Sequence, residues 1–242
     1  MAAYIEHKAG PFTNAPTTTG FTSLHIADPN LKEPEKHIQS IVAAFQKAHP
    51  DADPAGRNPL LARQLTDRNE AVGQMVLLGV GANISNVEFP SKIFIHDAPG
   101  NWITLGICST RSLSRGSVHI ESSDPTKQPV IDPAYFSHPL DLDIAARSIL
   151  HMISLMSVEP MASVLKRDAK GGMITHPAWT KELPKTVEEA KELASVNTVT
   201  EVYYLSIPCA FDCLCANSYY SIIPLALVPC YRKRRAVLLI AI

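Results

Sequence analysis

The stretch from Ser114 to Asp143 constrains the fold more than any other part of this chain. Arg115-Gly116 leads into an alternating run that is typical of a strand, and two Asp-Pro pairs then form turns on either side of a short apolar run. The period becomes helical from residue 140 onward. We therefore predict strand, turn and helix in that order, with Asp141 or Asp143 capping the helix.

Hydrophobic periodicity predicts further elements on both sides of this stretch. A buried strand is predicted at 74–80, and three further strands are predicted at 93–95, 102–109 and 117–122, whose short spacings favour antiparallel pairing. Helices are predicted from Pro34 to before Pro50, over 59–70, from 140 to before Pro160, and over 186–197. The last of these helices begins with a capping box, and Met152 and Met156 in the preceding helix are predicted to fill the core.

Composition divides the chain into three regions. Residues 1–58 are predicted to be an irregular arm plus an amphipathic helix, with no regular structure over 1–30. Residues 59–201 carry the strand and helix patterns of a globular domain. Residues 202–242 form an apolar tail rich in cysteine and tyrosine, in which Asp212 is the only charged residue before position 232.

Charge and cysteine content exclude several classes of function. The formal net charge is −1, so no basic face for nucleic acid is expected. No secretory signal is visible over 1–20, and the expected location is cytoplasmic. Five cysteines without regular spacing do not predict a disulfide scaffold. Four of them lie in the tail without a Cys-x-x-Cys pair, so no metal site is assigned to Cys209, Cys213, Cys215 or Cys230.

Candidate catalytic and cofactor-binding residues were weighed against simpler interpretations. Gly79 and Gly81 follow an apolar run, but Ile84 replaces the third small residue of a phosphate-binding turn, so a strand-end turn is the prediction. His119 on an alternating strand is expected to meet solvent. No Gly-x-Ser-x-Gly sequence supports a serine hydrolase. We therefore assign no catalytic, cofactor-binding or metal-binding residue.

The order of turns, strand and helix in 114–143 resembles the substrate-binding domain of the glucose-methanol-choline (GMC) oxidoreductases, flavoenzymes that oxidise alcohols. The resemblance covers about 60–201 and is strongest over 111–156. It implies an α+β fold with an antiparallel sheet backed by helices, plus the irregular N-terminal arm and the C-terminal tail. This sheet would cover the isoalloxazine face of FAD and shape the pocket for a small-molecule alcohol. In a complete relative, FAD takes a hydride while a histidine takes the hydroxyl proton.

Two parts that the resemblance implies are missing from this sequence. No Gly-x-Gly-x-x-Gly turn precedes residue 60, so this chain alone is not expected to bind FAD tightly. The family's catalytic histidine opens a His-Pro-x-Gly-Thr motif after the helix that corresponds to 185–197. His138-Pro139 and His176-Pro177 both precede that helix and lack the Gly-Thr. The chain alone is therefore expected to be inactive.

The family resemblance and the composition both change at one point, after Glu201. We hypothesise that translation there continues from an exon into an intron, because a valine codon such as that of Val202 begins with the donor dinucleotide GT. The alternative function is a non-catalytic binding or interaction module, pairing with a separately encoded flavin domain or associating with a membrane through the tail. Polar residues and prolines interrupt 214–229, which disfavours the membrane.

Overall fold

The computed structural model of the 242-residue protein describes residues 6–7, 18–79, 81–83, 92, 100, 102–175, 182–197 and 202–208. The strands are β1 (Thr18–Thr22), β2 (Gly73–Leu78), β3 (Trp102–Ser109), β4 (Ser117–His119), β5 (Val130–Asp132) and β6 (Val202–Pro208). The helices are α1 (Leu24–Ala27), α2 (Pro34–Ala48), α3 (Asn58–Leu65), α4 (Pro139–Leu155), α5 (Met161–Val164) and α6 (Val187–Asn197). This mixture confirms the predicted α+β class.

The main sheet has the strand order β1-β2-β3-β6, and every neighbouring pair is antiparallel. In its register, Leu77 of β2 lies opposite Leu105 of β3, and Leu105 lies opposite Leu205 of β6. Strands β4 and β5 form a separate antiparallel ribbon. Antiparallel pairing was predicted from the short spacings of the strands at 93–95, 102–109 and 117–122, and both sheets are antiparallel, although β3 pairs with β2 and β6 and β4 pairs with β5.

One face of the main sheet packs against α4 and α6. Alternate residues of β3 point into this core, where they meet the apolar face of each helix. Met152 and Met156 are fully buried there, which confirms their predicted role in the core. The buried members of this cluster are Ile103, Leu105, Ile107, Ala146, Ile149, Met152, Met156, Leu165, Ala190, Leu193 and Ala194.

A second apolar cluster joins the first three helices to the beginning of α4. Ile38 and Val42 on α2 are one helical turn apart and pack with Leu140 and Ile144 of α4. Leu113 belongs to the same cluster and precedes residues 114–116, which lead into β4 and are called the Ser114 turn below. The predicted amphipathic helix of the N-terminal region, α2, therefore packs onto α4, which begins within the 114–143 stretch. None of the helices in the described part of the chain is long and apolar enough to cross a membrane.

Two stretches differ from the sequence predictions. Irregular structure was predicted over 1–30, and this is wrong for β1 and α1. Strand β1 pairs in register with residues 73–77 of β2, and α1 follows it directly. The Thr-rich segment shows no alternation, so only its pairing with β2 makes it a strand. The first seven residues of the tail, Val202–Pro208, pair with β3 as the edge strand β6. The predicted strand at 93–95 lies outside the described residues, and the three-region division stays a prediction.

The predicted capping box at the beginning of α6 is confirmed. The backbone N–H of Glu189 donates to Thr186 Oγ1 at 3.2 Å. In return, Glu189 Oε2 accepts from the backbone N–H groups of Lys185 and Thr186, at 2.7 and 3.2 Å. These hydrogen bonds lower the pKa of Glu189, the one from Lys185 most of all. Three residues, Lys185, Thr186 and Glu189, therefore fix where this helix starts through local hydrogen bonds.

Candidate functional site

Asp141 ties the Ser114 turn to α4. It lies in the first turn of the helix, and its side chain is buried with 1% of its surface exposed. Its Oδ1 accepts from the backbone N–H of Leu113 at 2.7 Å, and its Oδ2 accepts from that of Ser114 at 2.6 Å. Both carboxylate oxygens therefore serve backbone groups that would otherwise be buried without partners. Asp141 positions the loop and does not cap its own helix.

His138 is the residue that caps α4. Its Nδ1 accepts from the backbone N–H of Leu140 at 3.2 Å, and Pro139 occupies the first helical position. The prediction that Asp141 or Asp143 caps this helix is therefore wrong. Capping requires a side chain that precedes the first turn, and the two aspartates lie within the helix. The sequence signal for the correct cap was the proline that directly follows His138.

Ser114, His138 and Asp141 lie together, yet they do not form a hydrolase triad. Ser114 Oγ accepts from the backbone N–H of His138 at 2.9 Å, and the imidazole Nδ1 faces a backbone amide. A triad instead needs the imidazole between the serine hydroxyl and the carboxylate. Here each of the three side chains accepts a hydrogen bond from a backbone N–H, so the cluster stabilises the turn.

Gly116 completes the turn because no larger residue fits there. A Cβ atom on Gly116 would lie 2.2 Å from the carbonyl oxygen of Asp132 and 2.8 Å from Cα of Pro133. Both contacts are with backbone, which cannot rotate away as a side chain can. The Arg-Gly and Asp-Pro parts of the 114–143 stretch are therefore adjacent in space, at the base of the β4–β5 ribbon.

Replacing Gly116 by alanine is expected to destabilise the protein by about 1–3 kcal/mol, because the two chain segments must separate. The free energy of unfolding, measured by urea denaturation of both proteins, checks this value. Gly20→Ala in β1 is the matched control, since nothing lies within 4 Å of a Cβ atom there. An equal effect of the two substitutions would contradict the close approach at Gly116.

Asp143 is the centre of a buried charged cluster that joins three helices. Its side chain is 4% exposed. Its Oδ2 lies 2.8 Å from Arg147 Nε on the same helix and 2.9 Å from His37 Nε2 on α2. Its Oδ1 lies 3.1 Å from Lys191 Nζ on α6. Arg147 also donates to Asp28, in the loop after α1.

Electrostatics in this cluster favour the ionised carboxylate. Burial by itself would raise the pKa of Asp143, but the hydrogen bonds from Arg147, His37 and Lys191 outweigh it and hold the pKa below its usual value. Asp28 and Asp143 balance Arg147 and Lys191 in formal charge. The cluster therefore holds α2, α4 and α6 together. Two of its members, Asp143 and Arg147, are four residues apart on one helix, a spacing that sequence inspection could have identified.

Two further side chains, those of His119 and Cys108, belong to neither cluster. His119 is exposed on β4, as predicted. Cys108 is half-buried on β3, and burial raises the pKa of its thiol, which disfavours the reactive thiolate. Among the residues that the structure describes, no group of His, Cys, Asp or Glu side chains could hold a metal ion. His176 and the four tail cysteines lie outside the described residues.

The described residues do not fit the dinucleotide part of a flavin. A pyrophosphate site of this kind needs a strand, a tight turn and the N-terminus of a crossover helix in a parallel sheet. In the described ranges, every strand pair is antiparallel. The face of β3 opposite the helices carries Trp102, Thr104 and Cys108 by alternation, and Thr104 Oγ1 accepts from the backbone N–H of Ala82 at 2.9 Å.

Comparison with known proteins finds a family match for the part of the chain that contains Asp141 and Asp143. The C-terminal domain model of the family described as GMC oxidoreductase matches residues 112–203. Oxidoreductase cicC of Emericella nidulans is 36% identical over 64 residues, which make up 26% of this chain and 10% of that protein. Dehydrogenase mpl7 of Monascus purpureus and dehydrogenase citC of Monascus ruber are each 53% identical over 38 residues, 16% of this chain and 6% of theirs.

The matched stretches span a tenth or less of the length of these curated relatives. No solved structure matches the chain. The family match begins just before the Ser114 turn, includes the β4–β5 ribbon and helices α4 to α6, and ends within β6. Residues 112–203 of this chain are therefore similar to the C-terminal domain of the GMC oxidoreductase family.

Proposed function

We propose that this chain supplies the substrate-binding part of a flavin-dependent oxidoreductase that oxidises the CH–OH group of an alcohol by hydride transfer to FAD. The observation that carries the proposal is the family match over 112–203, which includes the β4–β5 ribbon, α4 and α6. In the structure α4 and α6 pack on one face of the antiparallel sheet, whose strands β1 to β3 precede the matched residues, and Asp141 fixes the turn that precedes β4. The names of the relatives, an oxidoreductase and two dehydrogenases, support the same class of reaction.

We propose further that the chain alone is inactive. The antiparallel pairing of all the described strands supports this proposal, because a pyrophosphate cradle of the dinucleotide-binding kind is built on a parallel sheet. The strand after α6 reads Val202-Tyr203-Tyr204-Leu205-Ser206-Ile207-Pro208, and none of these side chains accepts a proton readily near neutral pH. A flavin-binding domain, encoded separately, is the partner that would complete the enzyme, with a small-molecule alcohol as substrate.

Flavin retention and partner binding test the proposal. The full chain is incubated with FAD, desalted, and examined for flavin absorbance and for alcohol-dependent dye reduction. We expect a colourless, inactive protein that binds a flavin-loaded domain produced from the remainder of a dehydrogenase relative. Stoichiometric FAD on the chain alone would contradict its dependence on a partner. Failure to bind the flavin-loaded domain would contradict the substrate-binding role.

A non-catalytic interaction module is the second candidate, and the β4–β5 ribbon favours it. Three apolar side chains of this ribbon are exposed, Val118 by 63%, Ile120 by 85% and Val130 by 51%. By the register of the ribbon, Val118 and Ile120 share one face and Val130 lies on the other. Exposed apolar side chains that share a face often mark an interaction site. In the experiment above, binding to the flavin-loaded domain without any gain in dye reduction would favour this module over the enzyme part. Cytoplasmic location and the lack of nucleic-acid binding stay predictions.

A further inference from the structure

His138 combines burial with a hydrogen bond that fixes its protonation state. Its side chain is 1% exposed, and its Nδ1 accepts from the backbone N–H of Leu140. A neutral imidazole has one N–H donor and one acceptor nitrogen, so the ring proton is on Nε2. Among the described residues, Nε2 has no hydrogen-bond partner. A second proton can therefore be added only at Nδ1, the atom that caps α4.

Protonation at Nδ1 would place two donors face to face. The Leu140 N–H would lose its acceptor, and the beginning of α4 would lose its cap. We propose that His138 is a pH-sensitive cap, whose protonation releases the first turn of α4 and loosens the Ser114 turn. The coupling to the turn is direct, because the backbone N–H of His138 donates to Ser114 Oγ at 2.9 Å.

The groups around His138 act in opposite directions on its protonation. Phe45 of α2 packs on the ring, with the centroids 4.2 Å apart, and His49 packs on Phe45 at 4.7 Å. Burial lowers the pKa of His138, and the charges of Asp141 on α4 and Asp53 in the loop between α2 and α3 raise it only in part. The pKa therefore lies below its usual value, and we expect uncapping on the acidic side of about pH 6.5.

Asp53 has one carboxylate oxygen that could balance the charge of a protonated ring. Its Oδ2 accepts from the backbone N–H of Asn58 at 2.6 Å, which lowers the pKa of Asp53 and keeps it ionised. Its Oδ1 is buried without a hydrogen-bond partner among the described residues and lies 3.7 Å from Arg57 Nε. The charge of Asp53 is thus one of the two that favour the protonated form of the His138 ring.

The sign of the pH effect follows from the direction of the pKa shift. An unfolded chain takes up a proton at His138 near pH 6.5 or so, before the folded chain does. Stability is therefore complete above that pH and decreases as the pH falls toward the folded-state pKa. His151 on α4 also has a pKa lowered by burial, so it contributes in the same direction and needs its own control.

Amide exchange at Leu140 tests the cap directly. Exchange in the full-length chain is followed by NMR between pH 8 and 5, after correction for the intrinsic exchange rate, in the native protein, His138→Asn and His151→Asn. Asparagine keeps an acceptor at the cap but does not titrate. We expect protection of the Leu140 amide to fall about fivefold at acidic pH in the native protein and in His151→Asn. In His138→Asn it should stay constant.

The same fall in His138→Asn as in the native protein would overturn the proposal. Should His138→Asn fail to fold, the native protein still decides the question through NMR titration of the His138 ring itself. The protection of Leu140 must then follow the protonation of that ring with the same midpoint. Two different midpoints, or a ring that titrates while Leu140 stays protected, would likewise overturn the pH-sensitive cap.

Discussion

Replacing Asp143 by alanine is expected to destabilise the protein by about 3–5 kcal/mol, the typical cost of removing one partner from a buried ion pair. Arg147 is 9% exposed and would lose its partner on α4, while Lys191 and His37 would lose the contact that joins α6 and α2 to it. Urea denaturation followed by circular dichroism measures the change in the free energy of unfolding.

Lys191→Ala is the matched control for this cluster. Lys191 is 25% exposed and also pairs with Glu188, so its loss leaves Asp143 with Arg147 and His37. We expect a cost of about 1 kcal/mol or less, as for partly exposed pairs. Equal destabilisation by the two substitutions would show that Asp143 is not the centre of the cluster.

Acid denaturation of Asp143→Ala separates the contribution of the Asp143 charge from that of its packing. The pKa of Asp143 is lowered in the folded protein, so its contribution to stability is complete above the unfolded value of about 3.9 and is lost as the pH falls through the folded value. Asp143→Ala should therefore lose less stability than the native protein between pH 5 and 2 or so. Parallel curves for the two proteins would contradict an ionised Asp143.

Replacing Asp141 by asparagine is expected to cost about 2–3 kcal/mol, because one of its two backbone hydrogen bonds is replaced by a contact between two donors. Leu113 and Ser114 donate to different oxygens of this carboxylate, so an amide can satisfy only one of them. We expect both lower stability and faster amide exchange over 111–118. Urea denaturation and hydrogen exchange by mass spectrometry measure the two effects.

Asp124→Asn is the matched control for Asp141→Asn. Asp124 also accepts from a backbone N–H, that of Thr126 at 2.9 Å, and this hydrogen bond lowers the pKa of its carboxyl. It lies in an exposed turn, where water replaces a lost acceptor, so no measurable loss of stability is expected. Similar losses for the two variants would mean that burial does not set the importance of Asp141.

Local sequence patterns predicted most elements within the family-matched part. The helical period from residue 140 became α4, the capping box at Thr186 became the start of α6, and the alternating run after Gly116 became β4. These signals involve residues within a few positions of one another, so they act before any tertiary contact forms. For this reason each of these elements was predicted correctly as helix or strand, although β4 is shorter than expected.

The candidate site could not be predicted to the same extent. Asp141 and Asp143 were interpreted as caps, since their distant partners, Leu113 and His37, lie 28 and 106 residues away in the chain. A carboxylate in a first helical turn is equally compatible with a cap, an ion pair or a loop anchor. Only the packing of α2 and of the Ser114 turn onto α4 decides among these roles.

The sequence by itself determined the α+β class and the similarity of residues 112–203 to the GMC oxidoreductase family, because turn residues, hydrophobic period and helix caps are local properties. Tertiary structure alone decided that Thr18–Thr22 and Val202–Pro208 are strands, since each becomes one by pairing with a strand far away in sequence. It also decided that the polar residues of the 114–143 stretch hold main chain together. Asp141, for example, accepts from two backbone N–H groups of the loop, because a buried backbone N–H requires an acceptor.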